Sequence, residues 1–383
     1  MKQKEIRIIV LFGSHFLYGS EKANIDVFTA LSEFDNVKSL FLIDRKRGVE
    51  TIIPYLNERN LNYKKVNYHF MFNKHMSLKE WCVKIYEILS GSFQLFYYYI
   101  KFRPTHVYTS KQEYFLNFLP FLFFVRKPII YRIGDSPVTH NLAYSKLWSY
   151  MAKKVSKFVC VSKFIEGKVQ ETVKNPNNSS VIYSKPHFKL SNNFSSPKSK
   201  KMFRVLYVGQ IGKHKGVDLL IEAALRLCKK YDNLFFDIAG NMVKTNEFSK
   251  NLLKKVENSG FSSRINFLGY INNVDELYER SHIHVCPSIY DEPLANVLMD
   301  AKKHSISSVI FSVGGLPEVI RNNVDGLICA DKSVKDLSDA IEDCYLNPKV
   351  TKSMGVNAHE SLNALGIDVF KKKWLNIFEE KRN

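Results

Sequence analysis

The chain has 383 residues, 45% of them hydrophobic and 24% charged, which excludes a disordered chain and points to two or three domains, two being the natural number. Its net charge of +19 is uneven: residues 1–190 hold 29 Lys and Arg against 14 Asp and Glu, and residues 191–383 hold 27 against 23. The basic first half suits an anionic partner, membrane lipid or nucleic acid, although a general compositional lean toward lysine produces the same excess.

IRIIVLFG (6–13) is a β-branched apolar run closing on Gly13, the pattern of a buried first strand in a parallel α/β unit. Further strands are predicted at 37–43, 106–109, 128–133 and 157–161, with helices at 22–34, 77–99 and 143–154. The apolar run 114–125 is too short to span a bilayer and is broken by Asn117 and Pro120. SNNFSSPKSKK (191–201) is polar and reads as a linker. FRVLYVGQ (203–210) then repeats the opening pattern, followed by strands at 234–239, 265–268, 283–286, 307–311 and 327–329. Helices are predicted at 217–230, 247–258, 293–303 and 333–346. The expected layout is a domain over 1–190, a linker at 191–203, a second domain over 204–366 and a terminal helix over 367–383 that returns to the first domain. Each domain is expected to be an open parallel sheet with helices on both faces. The six cysteines (82, 160, 228, 286, 329 and 344) show no metal-ligand spacing and read as buried thiols in a reducing compartment.

Three constellations carry chemistry. In GQIGKHKGVDLLIEAA (209–224) a strand ends at Gly209, and Gly212 and Gly216 allow close backbone approach. Lys213 and Lys215 stand at the mouth of the turn, so the segment reads as a phosphate loop or as an ordinary strand–turn–helix with solvated lysines. In CPSIYDEPLANVLMDA (286–301) Pro293 suits a first helical position, and Glu292 and Asp300 stand about 12 Å apart if one helix joins them. Such a pair suits hydroxyls at the two ends of a nucleotide sugar; a helix-start acid and a solvated acid are the alternative. In VGGLPEVIRNNVDGLI (313–328) Gly314-Gly315 and Pro317-Glu318 again place backbone N–H groups at a strand end, and a plain glycine turn fits equally.

In this order the three resemble the retaining glycosyltransferases of family 4. Gly209, Gln210, Ile211, Lys215 and Gly216 match that family's phosphate loop, Pro287-Ser288 leads to its acid pair Glu292 and Asp300, and 313–318 matches its V-G-G-x-P-E. YGSEKANIDVF (18–28) is similar to its first-domain glycine loop, and CVSKFI (160–165) to its serine-containing strand end. The resemblance implies the GT-B fold, two Rossmann-like doubly wound domains facing across a cleft. It implies catalytic roles for Glu292, Lys215 and Asp135, and donor binding by Gly19, Gln210, Gly212, Leu294, Ala295, Asn296 and Asp300. Gln210 stands where the family has Arg, Asp300 where it has Glu, Ala295 where it has Gly, and Gly134-Asp135 where it has His-Asp. His140 and Arg132 are the candidates to replace that imidazole.

The implied activity is retaining transfer of a hexosyl group from a nucleotide-diphosphate sugar to a glycan or lipid-linked acceptor, as in bacterial-type surface polysaccharide assembly. No cofactor and no metal ion is expected, because no DxD motif lies near the cleft elements. The alternatives are a non-catalytic nucleotide-sugar-binding subunit of a glycan assembly complex and a GT-B sugar-nucleotide epimerase. No nucleic-acid partner is expected, for want of a recognised motif. The expected location is cytoplasmic or peripheral on the inner face of a membrane. Residues 74–103 mix Lys, Arg, Trp and Tyr in a way that suits an anionic bilayer, as does the run 114–125 followed by Arg126-Lys127. Burial of those aromatics in a core is the other reading.

Overall fold

Seven parallel strands form one sheet in the order β3-β2-β1-β4-β5-β6-β7, and six form another in the order β10-β9-β8-β11-β12-β13. This is a computed structural model; it describes residues 4–14, 16–46, 49–68, 77–112, 114, 118–137, 142–173, 178–184, 202–242 and 246–380. The first sheet comprises β1 (Ile6–Phe12), β2 (Val37–Asp44), β3 (Tyr63–Val66), β4 (His106–Thr109), β5 (Ile129–Ile133), β6 (Lys157–Cys160) and β7 (Ser179–Val181). The second comprises β8 (Phe203–Val208), β9 (Leu234–Ala239), β10 (Ile265–Gly269), β11 (Ile283–Cys286), β12 (Ser307–Phe311) and β13 (Gly326–Cys329). The chain divides into a first unit of Met1–Lys185 with Ile367–Asn383 and a second of Pro186–Gly366. The linker expected at 191–203 lies outside the described residues except for Met202 and Phe203, and Phe203 opens β8.

The central strands form because they are continuous apolar runs, buried on both faces as parallel strands must be. β1 and β12 are almost wholly buried. Helix Val217–Lys230 follows β8 and buries Val217, Leu220, Ile221, Ala224 and Leu227 at helical spacing against the second core. In the first unit, helix Ile367–Glu379 buries Phe370, Trp374, Ile377 and Phe378 beside β1 and β4 residues such as Ile8 and Tyr108. The Trp374 ring lies 6.0 Å from that of Tyr108. Lys157 and Glu380 add an ion pair at 3.2 Å.

Several expectations need correction. The helix predicted from Pro293 begins at Asn296, so Pro293 is not its first residue and no single helix joins Glu292 to Asp300. Strands β3 and β7 and helices Val49–Asn57, Lys163–Thr172, Asp275–Arg280 and Pro348–Ser361 are additional. Five cysteines are buried thiols, but Cys82 is exposed on helix Leu78–Phe102.

His284 on β11 is fully buried, bonds Ser308 Oγ through Nδ1 at 3.1 Å, and is pushed down to about 3 by burial. The unfolded chain therefore binds a proton below the ordinary histidine value while the folded chain does not, and stability should fall as pH drops from about 6.5 toward 3. His284→Phe should flatten the difference between urea midpoints at pH 7 and pH 5; an unchanged difference would remove His284 from the account.

Candidate functional site

In each sheet the strand order reverses beside its first strand, between β1 and β4 and between β8 and β11. Loops leaving the carboxyl ends of strands at such a point diverge and leave room for a ligand. In the second unit those loops are 209–216 after β8 and 287–295 after β11.

The first loop is a 3₁₀ turn, Lys213–Lys215, closed by Gly216 at φ +65°. Only glycine fits there: a Cβ would stand 1.9 Å from the Pro287 carbonyl oxygen, and the left-handed backbone disfavours any other residue. The close approach seats the turn on the second loop, where the Ile289 N–H donates to the His214 carbonyl at 3.1 Å. The Tyr207 hydroxyl donates to the Gln210 carbonyl at 2.8 Å and fixes the start of the turn.

Three elements converge on Glu292. Lys215 Nζ forms an ion pair with Glu292 Oε1, and Ser288 Oγ donates to the same oxygen at 2.9 Å. The Gly315 N–H donates to the Glu292 carbonyl at 2.7 Å. Gly314, at φ +53°, lies where a Cβ would come within 2.2 Å of that carbonyl oxygen. The loop 313–315 is thus moulded on the Glu292 main chain while its carboxylate faces Lys215. Both side chains remain partly open to solvent, at 26% for Lys215 and 13% for Glu292. The neighbouring Cys286 thiol is pushed up to about 11, chiefly by burial and then by the Glu292 charge, which makes it a poor nucleophile.

Of the other expected donor residues, Gln210 is exposed and Gly212 stands immediately before the Lys213–Lys215 turn. Leu294 and Ala295 lead into helix Asn296–Lys303, whose first turn leaves backbone N–H groups without intrahelical partners. Asp300 lies further along that helix beside Tyr278, whose phenol is raised by burial first and by the Asp300 charge second. Gly19 and Asp135 belong to the first unit: Gly19 opens helix Gly19–Leu31, and Asp135 is exposed just beyond β5. Arg132 does not replace the missing imidazole at the surface, because it is buried within β5 near Tyr108 and Asp26. His140 lies outside the described residues. The serine of CVSKFI is Ser162, a buried cap whose Oγ accepts the Ile165 N–H at 3.2 Å.

Of the buried acids that were not anticipated, two bear on these loops. Glu21, beside the glycine loop, accepts from Ser14 Oγ (3.1 Å), Ser20 Oγ (2.8 Å) and the Tyr18 N–H (3.3 Å), and pairs with Lys111 at 2.6 Å. Burial works to raise its pKa, yet the Lys111 ammonium and these donors hold it below the usual value. The pair ties the loop after β1 to the segment after β4. Asp325, expected as a turn residue, is 1% exposed and holds Arg321 Nε at 2.8 Å and Lys302 Nζ at 3.2 Å. Lys302 belongs to the helix that carries Asn296 and Asp300. An acid preceding a glycine is the only signal of Asp325 in the sequence, and Glu21 had only its place two residues after Gly19.

Residues 189–361 match the family described as glycosyl transferases, group 1. The phosphatidylinositol N-acetylglucosaminyltransferase gpi3 subunit of Schizosaccharomyces pombe is 28% identical over 219 residues, 55% of this chain and 46% of that protein. An α-1,4-N-acetyl-D-galactosaminyltransferase of Campylobacter jejuni, acting on a diphosphoundecaprenol-linked glycan, is 26% identical over 51% of this chain and 53% of its own. The matches to these curated relatives span about half of their length. Among solved structures, Anabaena HepE in complex with UDP superposes with a TM-score of 0.80 at 16% identity, over 98% of this chain and 100% of that one. The likeness shows the fold, which is GT-B.

Proposed function

Because residues 189–361 of this chain match the family of group 1 glycosyl transferases, we propose that the protein moves a hexosyl group from a nucleotide-diphosphate sugar to a glycan or lipid-linked acceptor, with retention of anomeric configuration. The observation that carries the proposal is the meeting of Lys215, Ser288 and the Gly314-Gly315 loop on Glu292. In the reaction the bond from the anomeric carbon to the diphosphate breaks as a bond to the acceptor hydroxyl forms. The acceptor's proton passes to the departing phosphate oxygen. Lys215 and the N–H groups of the glycine loops meet the charge growing on the diphosphate. Glu292 faces the sugar and supports the positive charge of an oxocarbenium-like state. Asp300 binds ribose hydroxyls. The diphosphate charge is assigned to Lys215 and backbone donors rather than to a metal ion, so a chelator should leave the rate unchanged.

The test is turnover with a panel of nucleotide sugars, UDP-sugars first, against glycan and lipid-linked acceptors, with the product's anomeric configuration read by NMR. A retained product supports the proposal. Nucleotide binding without turnover on any pair would indicate a non-catalytic subunit, and an epimerised donor would indicate an epimerase.

Lys215→Ala should weaken nucleotide-sugar binding roughly tenfold, toward the low end for a charge-assisted contact, because Glu292 already competes for the ammonium. Gln210 is uncharged, and the turn's other lysine, Lys213, is exposed. Unchanged affinity by calorimetry would take the phosphate role away from the loop.

A further inference from the structure

Helix Leu78–Phe102 is amphipathic in the reverse of the usual sense. Toward the protein it presents Gly91, Ser92 and a single fully buried leucine, Leu95, among polar residues. Gly91 approaches so closely that a Cβ would lie 2.2 Å from the Asn67 carbonyl oxygen. Gln94 Oε1 accepts the Asn67 N–H at 2.8 Å, Asn67 Nδ2 donates to Ser90 Oγ at 2.9 Å, and Glu87 pairs with Lys46 at 2.8 Å. Most of its large apolar residues point outward. Leu78, Ile85, Leu89, Phe93, Phe96 and Ile100 recur at intervals of three, four and seven residues and are all exposed, Phe93 at 72%. Trp81, Tyr86 and Tyr97 flank this stripe and are exposed as well. Phe121 packs on Phe96 and Tyr99 and so brings exposed Phe123 and Phe124 to the same region. The rest of the run 114–125, where described, is buried, as Tyr114, Phe118 and Leu122 show. A continuous apolar face of this size on a water-soluble surface marks a contact with something else.

We propose that this face docks on an anionic lipid bilayer, the helix lying along the surface with its stripe at the acyl boundary and its basic residues among the head groups. Charge selects lipid over a second copy of the chain. The helix carries Lys79, Lys84, Lys101 and the following Arg103 against only Glu80 and Glu87. Both acids are already engaged, Glu80 by the Ser77 cap and Glu87 by Lys46. Arg126 and Lys127 follow Phe123 and Phe124, with their backbone against the Tyr99 hydroxyl. A cavity of about 450 Å³ at the helix's C-terminal end gathers Lys64 and Lys101 with Arg7 and Lys38, the last two sharing Glu5 as their acid. Residues 1–190 carry 29 basic against 14 acidic groups, so a second copy is repelled where an anionic surface is attracted. Interfacial Trp and Tyr beside a Leu and Phe stripe with basic edges is the composition of a helix lying in the membrane plane. Among the described residues no helix is long and apolar enough to cross a membrane. The proposal is independent of the transfer reading, since it concerns a surface that needs no donor.

Trp81 gives a direct readout, because Trp148 and Trp374, the other two tryptophans, are buried. The full chain is mixed with vesicles of phosphatidylcholine alone or with phosphatidylglycerol, at low and high salt. The expected result is sedimentation with the anionic vesicles, weakened by salt, with a blue shift of Trp81 and its quenching by brominated lipid. Leu89→Glu with Phe93→Glu should lower partition at least tenfold while melting stays unchanged, since both side chains are solvent-exposed. Equal partition of parent and variant overturns the proposal. So does absence of Trp81 quenching in the parent chain, a readout that does not depend on the variant folding. A lipid-free dimer that the double substitution dissociates would make the occupant a second copy and also overturn it.

Discussion

Glu292→Gln is expected to remove about 99% or more of transfer activity, a loss of roughly 10²–10³ in turnover, while nucleotide binding stays within a few fold of the parent. The substitution keeps the side chain's size and an oxygen able to accept from Ser288, so the local packing has no reason to change. It leaves the main chain alone, and the main chain is what Gly315 binds and Gly314 closes upon. What disappears is the negative charge to which the proposed function assigns support of the reacting sugar. Its loss also releases Lys215 from an ion pair, so a diphosphate no longer has to displace a carboxylate. Affinity for free nucleotide should therefore hold or tighten as turnover collapses. Steady-state rates and nucleotide calorimetry on the same preparation separate the two effects. Near-normal turnover in the amide variant would sink the catalytic assignment of Glu292.

Asp325→Ala is expected to cost about 3–5 kcal/mol of the second unit's stability, as removal of one partner of a buried ion pair does. Lys302 is 3% exposed in its side chain, and after the substitution its ammonium would retain Ser361 Oγ, at 2.9 Å, as its neutral partner. Burial already pulls the Lys302 pKa down, and Asp325 is the group that works against this. The Arg321 N–H, which donates to Asp325 Oδ1 at 2.7 Å, loses its acceptor at the same time. Urea unfolding followed by circular dichroism measures the loss. Adding Lys302→Met to Asp325→Ala should restore part of it, because an apolar chain of similar length does not need the missing charge. A cost below about 1 kcal/mol would mean that water reaches Lys302 and that the pair belongs to the surface class. The network stands behind helix Asn296–Lys303, so loosening it should also raise the KM for donor through Asn296 and Asp300.

The amino-acid sequence determines much of this protein without help from contacts. Buried parallel strands are continuous apolar runs, and β1, β2, β8, β9, β11 and β12 are legible for that reason. The helix Val217–Lys230 is legible to the residue because its apolar face repeats at 3.6 and a glycine precedes it. The order of the three motifs, two glycine turns with an acid pair between them, resembles that of the family 4 glycosyltransferases, and that resemblance pointed to nucleotide-sugar chemistry. Tertiary structure decided the rest. The edge strands β3 and β7, YKKV and SSV, have no apolar run, and only pairing with β2 and β6 makes them strands. The helix after Glu292 starts at Asn296 rather than at Pro293, in a segment whose main chain at Glu292 is held by the Gly314-Gly315 loop, more than twenty residues away in sequence. Glu21, Asp325 and Lys302 look like surface charges until their partners at positions 111, 321 and 325 fold over them. Periodicity gave helix Leu78–Phe102 its apolar stripe but not its direction. Orientation followed from the near-contact of Gly91 with Asn67, because a face of small residues packs closer to the backbone beneath it than a row of aromatics can.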